Sequence, residues 1–90
     1  MNLRQLEVFN AVMQAGSITG AAHMLNLSQP AVSKLLQRTE DQLRMPLFKR
    51  IGGRLRPTPE ALALVPEVER VFSRLRAIRQ LSSDLRRNVW

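Results

Sequence analysis

Ser17-Ile18-Thr19-Gly20-Ala21-Ala22-His23-Met24-Leu25-Asn26-Leu27-Ser28-Gln29-Pro30-Ala31-Val32-Ser33-Lys34-Leu35-Leu36 holds two helical periods separated by a turn. Ser17 supplies an N-cap hydroxyl, and Ile18, Ala21, Ala22 and Leu25 follow the 3.6-residue period of a short helix. The two small alanines let a second helix approach closely. Asn26 accepts a left-handed backbone and ends that helix, and Leu27 follows as an apolar plug. Pro30 belongs in a first helical turn, where its missing N–H costs nothing. Residues before proline avoid the helical region, so either Ser28 or Gln29 is the N-cap of the next helix. Its apolar face is Val32, Leu35, Leu36, Thr39 and Leu43, and its opposite face is Gln29, Pro30, Ser33, Lys34, Gln37, Arg38 and Asp41. Pro46 is expected to close it.

On the N-terminal side, Leu3, Leu6, Phe9, Val12 and Met13 form the apolar stripe of a helix from about residue 3 to 15, with Gly16 as a left-handed cap. On the C-terminal side, Gly52-Gly53 separates Leu47-Phe48-Lys49-Arg50-Ile51 from Arg54-Leu55-Arg56-Pro57, a two-residue hairpin signal. Such a hairpin is too small to stand alone and must pack on the helices. Thr58-Pro59-Glu60 then opens a long helix reaching the region of Arg87: a cap, a first-position proline, and an acid at the positive helix end. Pro66 should kink that helix without stopping it. The predicted class is mainly α: three helices, a small β-hairpin and a long final helix. Residues 1–58 form one unit and 59–90 a linker helix.

The chain has 90 residues, 14 Lys and Arg against 7 Asp and Glu, and a formal charge of +7. That surplus favours a polyanionic partner, meaning nucleic acid or an anionic membrane face. With no cysteine, disulfides and thiolate metal sites are excluded. The first turns carry Arg4 and Glu7, unlike a signal peptide. The longest apolar stretch, Ala61 to Val65, is too short to span a bilayer and stops at Pro66. A cytoplasmic protein with no cofactor is expected.

Two short helices joined by a tight turn, the second with a polar outer face, make a helix-turn-helix. A major groove admits one helix, which must show hydrogen-bonding side chains outward while its other face anchors it. Gln29 can bond adenine bidentately, Lys34 suits guanine O6 and N7, Pro30 can touch a thymine methyl, and Ser33 offers a hydroxyl. Any surface helix carries Gln and Lys, so this face alone does not decide. The hairpin does. From Arg44 to Arg56 there are five cations (Arg44, Lys49, Arg50, Arg54, Arg56) and no acid. A basic two-stranded tip can lie along the sugar–phosphate backbone and put Arg54 into a minor groove.

Leu3-Arg4-Gln5-Leu6, Ser17-Ile18-Thr19-Gly20-Ala21-Ala22, Leu27-Ser28-Gln29-Pro30-Ala31-Val32-Ser33, Pro46-Leu47-Phe48-Lys49-Arg50 and Leu55-Arg56-Pro57-Thr58-Pro59-Glu60-Ala61 occur in that order. Together they resemble the N-terminal domain of LysR-type transcriptional regulators over nearly the whole chain. The resemblance implies a winged helix-turn-helix with a recognition helix over about residues 29–44 and a wing over about 48–57. It implies Gln29, Pro30, Ser33 and Lys34 at the major groove, Arg54 at the wing tip, and Ser28, Arg38, Arg50 and Thr58 on phosphates. Gly20 departs from the family, which often has alanine or a larger residue there, and should weaken its helix by up to about 1 kcal/mol. The family also carries a C-terminal effector-binding domain. The chain is therefore expected to be the DNA-binding part of a longer regulator, a higher oligomer with a small-molecule effector.

Ala61, Leu64, Val68, Val71, Leu75, Ile78, Ser82 and Leu85 recur in steps of three and four, a heptad seam broken at Ser82. Such a seam wants a second copy, although its first turns can also pack on their own domain. Leu64, Val68, Val71, Phe72, Leu75, Ile78 and Leu85 are the expected dimer contacts. Glu60, Glu67 and Glu69 lie in the first half of the helix, and Arg70, Arg74, Arg76, Arg79, Arg86 and Arg87 in the second. An antiparallel pair sets acids against arginines, as the resemblance also suggests. A homodimer of this kind would read an interrupted inverted repeat in double-stranded DNA.

Three other classes fit less well. For an enzyme, the chain offers one histidine, His23, beside an apolar stripe, and Glu40 and Asp41 point in different directions on a helix. For a membrane-surface module, the final helix is basic, but the single tryptophan, Trp90, is terminal. For a protein-binding scaffold, aromatic anchors are scarce, and the third helix and wing are cationic.

Overall fold

In the computed structural model, which describes residues 1–88, the order is α1 (Leu3–Ala15), α2 (Ile18–Leu25), α3 (Gln29–Leu43), β1 (Phe48–Ile51), β2 (Arg54–Pro57) and α4 (Pro59–Arg87). Trp90 lies outside the described residues. Each helix starts on a side-chain cap. Asn2 and Gln5 form a reciprocal capping box, Ser17 accepts from the Gly20 N–H, Ser28 from Ala31, and Thr58 from Ala61. Ser28 is thus the cap of α3. Gly16 and Asn26 are left-handed, as their positions require.

α3 ends earlier than Pro46 demands. It stops at Leu43, and Arg44 is left-handed at φ 58°, its N–H turned back to Glu40 and Asp41. A cation at the negative helix end offsets part of that backbone cost. α1 is also rotated from the expected stripe. Val8, Phe9, Ala11 and Val12 are its buried apolar residues, while Leu3 is 45% exposed. The helix is gripped on two sides, by α2 and by α3, so its buried arc is wider than one stripe, and in the first turn it takes in Gln5 and leaves Leu3 outside.

The core joins Val8, Phe9, Val12, Ala21, Val32, Leu36, Leu47, Ala61 and Val68, so it runs across residue 58 into α4. α4 then leaves the core. The Cα radius of gyration is 15.5 Å, against about 12 Å for a globule of this length. Pro66 sits inside α4 without ending it.

This exit divides the expected dimer stripe and corrects it. Leu64, Val68 and Phe72 pack against the chain's own core, because the first half of α4 lies along α1, where Val65 and Val68 share a cavity wall with Phe9 and Met13. Val71, Ile78 and Leu85 face solvent, as does Leu81, beside the seam break at Ser82.

Gly20 is explained by its surroundings. A Cβ there would come within 2.8 Å of the Ala15 Cβ and 2.9 Å of the Ser17 Oγ. Ala15 cannot rotate away, and the Ser17 hydroxyl is the cap of α2. Gly20→Ala is therefore expected to destabilise by about 1 kcal/mol net, overpacking outweighing the gain in helix propensity. Thermal melts check the sign.

Candidate nucleic-acid interface

Gln29, Pro30, Ser33 and Lys34 are all exposed and share one face of α3, with Gln37 and Arg38 a turn further on. The face is free because Val32, Leu36 and Thr39 hold the opposite side in the core, the Thr39 hydroxyl donating to the Leu35 carbonyl at 2.8 Å. Gln29 is already oriented: its Nε2 donates to the Thr19 Oγ1 of α2 at 2.6 Å. That leaves its second N–H and its carbonyl oxygen without a partner among the described residues. Thr19 is a positioning residue that the sequence did not single out. The signal was a hydroxyl on the solvent side of α2, ten residues before Gln29. Ser28 is exposed, and its hydroxyl accepts from Ala31 at 3.2 Å while its own proton remains available.

The wing is an antiparallel hairpin with Phe48 opposite Pro57, Lys49 opposite Arg56, Arg50 opposite Leu55 and Ile51 opposite Arg54. Gly52 and Gly53 are both left-handed, at φ 59° and 76°, the geometry that matches strand twist in a two-residue turn. Phe48, Leu55 and Pro57 turn toward the body, and the Phe48 ring lies 5.9 Å from that of Phe9. Arg50 and Arg54 are exposed and, with Arg56, line a groove of about 490 Å³ between the wing and the α1–α2 turn at Gly16 and Ser17.

Two clips fix the base of the wing, one to α3 and one to the start of α4. The Glu40 carboxylate accepts from the backbone N–H groups of Leu47 and Phe48. The Thr58 hydroxyl donates to the Pro46 carbonyl at 2.9 Å, and the Thr58 N–H donates to the Leu47 carbonyl at 2.9 Å. Glu40 is thus a positioning residue, marked in the sequence only as an acid on the half-buried side of α3. Thr58 is corrected. At 4% exposure, with its hydroxyl also capping Ala61, its side chain has no surface or free donor for a phosphate.

A second surface lies on α4. Val71, Leu75 and Ile78 line an apolar groove of about 460 Å³ together with Leu3 of α1 and the charged Glu67, Arg70 and Arg74. Leu3, assigned to the core by its period, belongs to this surface. The Arg70–Glu67 pair at 2.7 Å is exposed on both sides and adds little stability.

No helix among the described residues is long and apolar enough to cross a membrane. No cluster of three or more His, Cys, Asp or Glu side chains there could hold a metal.

Three helices, a wing packed on the third, and an outgoing helix with an apolar face define a winged helix-turn-helix protein. Residues 3–62 match the family described as "Bacterial regulatory helix-turn-helix protein, lysR family", and the chain belongs to that family. It is 48% identical over 86 residues to the transcriptional activator protein LysR of Escherichia coli K12, covering 96% of this chain and 28% of that protein. It is 45% identical over 87 residues to the transcriptional regulator DgcR of a Pseudoalteromonas species, covering 97% of this chain and 30% of that protein. The chain therefore spans under a third of the length of these curated relatives, which are transcriptional regulators. Among solved structures, the DNA-binding domain of BenM in complex with catB site 1 DNA superposes with a TM-score of 0.87 at 28% identity, over 94% of this chain and 96% of that one. Full-length OxyR from Pseudomonas aeruginosa gives 0.84 at 27% identity, over 93% of this chain and 28% of that one.

Proposed function

We propose that this chain is the sequence-reading part of a transcriptional regulator and binds double-stranded DNA as a homodimer, α3 in the major groove and the wing over the backbone and minor groove. The observation that carries this reading is the exposed polar face of α3, with Gln29 already held by Thr19. Oriented side chains read bases at lower entropic cost than free ones. The likeness to a DNA-binding domain in complex with its site supports the same reading.

Gln29, Pro30, Ser33 and Lys34 contact base edges, Arg54 enters the minor groove, and Ser28, Arg38 and Arg50 hold phosphates. Thr58 leaves that set. The dimer forms through Val71, Leu75, Ile78 and Leu85 of antiparallel α4 helices, with Leu3 and Leu81 added and Leu64, Val68 and Phe72 left to the chain's own core. Residues 1–58 read and 59–90 space the two heads, so the operator is an interrupted inverted repeat. The remainder of the regulator carries a small-molecule effector site and further oligomer contacts, and the protein works beside its DNA in the cytoplasm.

Selection from a randomised duplex library tests this. Enrichment of two inverted half-sites is expected, and retention without enrichment would reduce the chain to a nonspecific phosphate binder. Gln29→Ala should then cost about 1–3 kcal/mol and relax preference at one base position per half-site. Uniform weakening on every duplex would remove Gln29 from base reading.

A further inference from the structure

Hairpin residues directly opposite each other share a face, and alternate residues change face. The register therefore puts Lys49, Ile51, Arg54 and Arg56 on one side of the wing, and all four are exposed. Within that face Lys49 stands directly opposite Arg56. Two cations so placed are about 5 Å apart at Cβ and repel, where an opposite-charge pair would have stabilised the sheet. Neither takes part in an ion pair among the described residues. No acid occurs from residue 42 to residue 59, and the two ion pairs among the described residues, Arg4 with Glu7 and Arg70 with Glu67, lie on α1 and α4. The wing cannot swing away to spread the charge, because Glu40 and Thr58 clip its base to α3 and α4.

A fixed like-charge pair on a two-stranded sheet is a standing cost to the free protein, and an anion lodged between the two cations reverses its sign. We propose that Lys49 and Arg56 together hold one backbone phosphate of the duplex read by α3. The inference rests on the DNA-binding reading above and adds two contact residues to it. A duplex is the anion that fits, because the wing is fixed beside α3 and a backbone strand must run close to any helix seated in the major groove. The pair gives affinity without sequence information, and part of that affinity is repulsion relieved on binding.

The test uses Lys49→Ala, Arg56→Ala and the double variant, each measured for two properties. The first is the salt dependence of affinity for a selected duplex and for a scrambled one. Because the two cations share one phosphate, the double variant should flatten the slope of log affinity against log salt by about 0.9 for each half-site bound, equivalent to about eightfold in affinity at about 0.1 M salt, and each single change by less, on both duplexes alike. The second is the melting temperature without DNA. It should rise by about 1–4 °C in dilute salt as the repulsion is removed, and the rise should vanish in concentrated salt. A residue that merely supported the wing would lower the melting temperature when replaced, and that result would overturn the proposal. An unchanged slope would also overturn it, provided the unaltered chain binds and Gln29→Ala still loses its base preference; the DNA-binding reading would then stand alone. If the unaltered chain retains no duplex, both readings fall together.

Discussion

Ile78→Glu is expected to leave the fold intact and turn the proposed dimer into monomers, with affinity for a duplex carrying both half-sites falling by about 10²- to 10⁴-fold. Ile78 is 61% exposed, so the isolated chain gains little from burying it and loses little when it is replaced. Its neighbours in the α4 groove, Leu3, Val71 and Leu75, make an apolar surface that gains by meeting its own copy. A carboxylate placed there must be desolvated to pair, a cost of several kcal/mol per ion that Arg70 and Arg74 of the same groove offset only in part. Each head alone should keep its affinity for a single half-site, because α3 and the wing are untouched. Sedimentation at several concentrations, with titrations against one- and two-half-site duplexes, separates the two effects. A variant that remains dimeric would move the interface off this groove. Arg87→Cys tests the orientation: antiparallel helices hold the two copies of this residue far apart, and ready self-cross-linking would favour parallel pairing.

Much of this architecture is written in local signals. Ser17, Gly16, Asn26 and the Gly52-Gly53 pair each announce a cap or turn through backbone requirements that no distant residue has to confirm, and each stands where it was expected. The polar face of α3 is equally legible, since a strong apolar period on one side leaves the other side by subtraction. What could not be read is set by contacts between elements. The period of α1 could not show that Val8 and Ala11 are buried and Leu3 exposed, because the width of a buried arc depends on how many neighbours grip the helix. The seam of α4 keeps one period from Ala61 to Leu85 apart from Ser82, and that period does not mark where packing on its own domain stops: the first half serves the chain's own core and the second half faces outward. Periodicity records that a side is apolar and not what covers it. Thr58 carried two assignments, cap and phosphate contact, and burial leaves only the first. Glu40 and Thr19 act on residues seven to ten positions away, beyond the reach of any helical period.

Leu47→Ala should lower stability by about 2–5 kcal/mol and weaken DNA binding through the wing. Leu47 is fully buried, 0% exposed, at the junction of α3, the wing and α4. Its backbone N–H is held by Glu40 and its carbonyl by Thr58, so main chain and side chain at this residue serve the same joint. Removing the side chain leaves a cavity that those backbone clips prevent from collapsing, which places the cost in the upper part of the range. A domain of this size has only about 5–15 kcal/mol to lose, and each kcal/mol is worth about 4–8 °C in melting temperature. Well below its melting point the variant should still fold. There the defect should fall on the terms supplied by the wing: the salt slope becomes shallower, while the base preference set by Gln29 is retained. Glu40→Ala removes the same joint from the other side. It strips a charged acceptor from two backbone N–H groups at a cost of about 1.5–3 kcal/mol and should give the same division between salt slope and base preference. If Leu47→Ala instead loses base preference and keeps its salt slope, the joint positions α3 and not the wing.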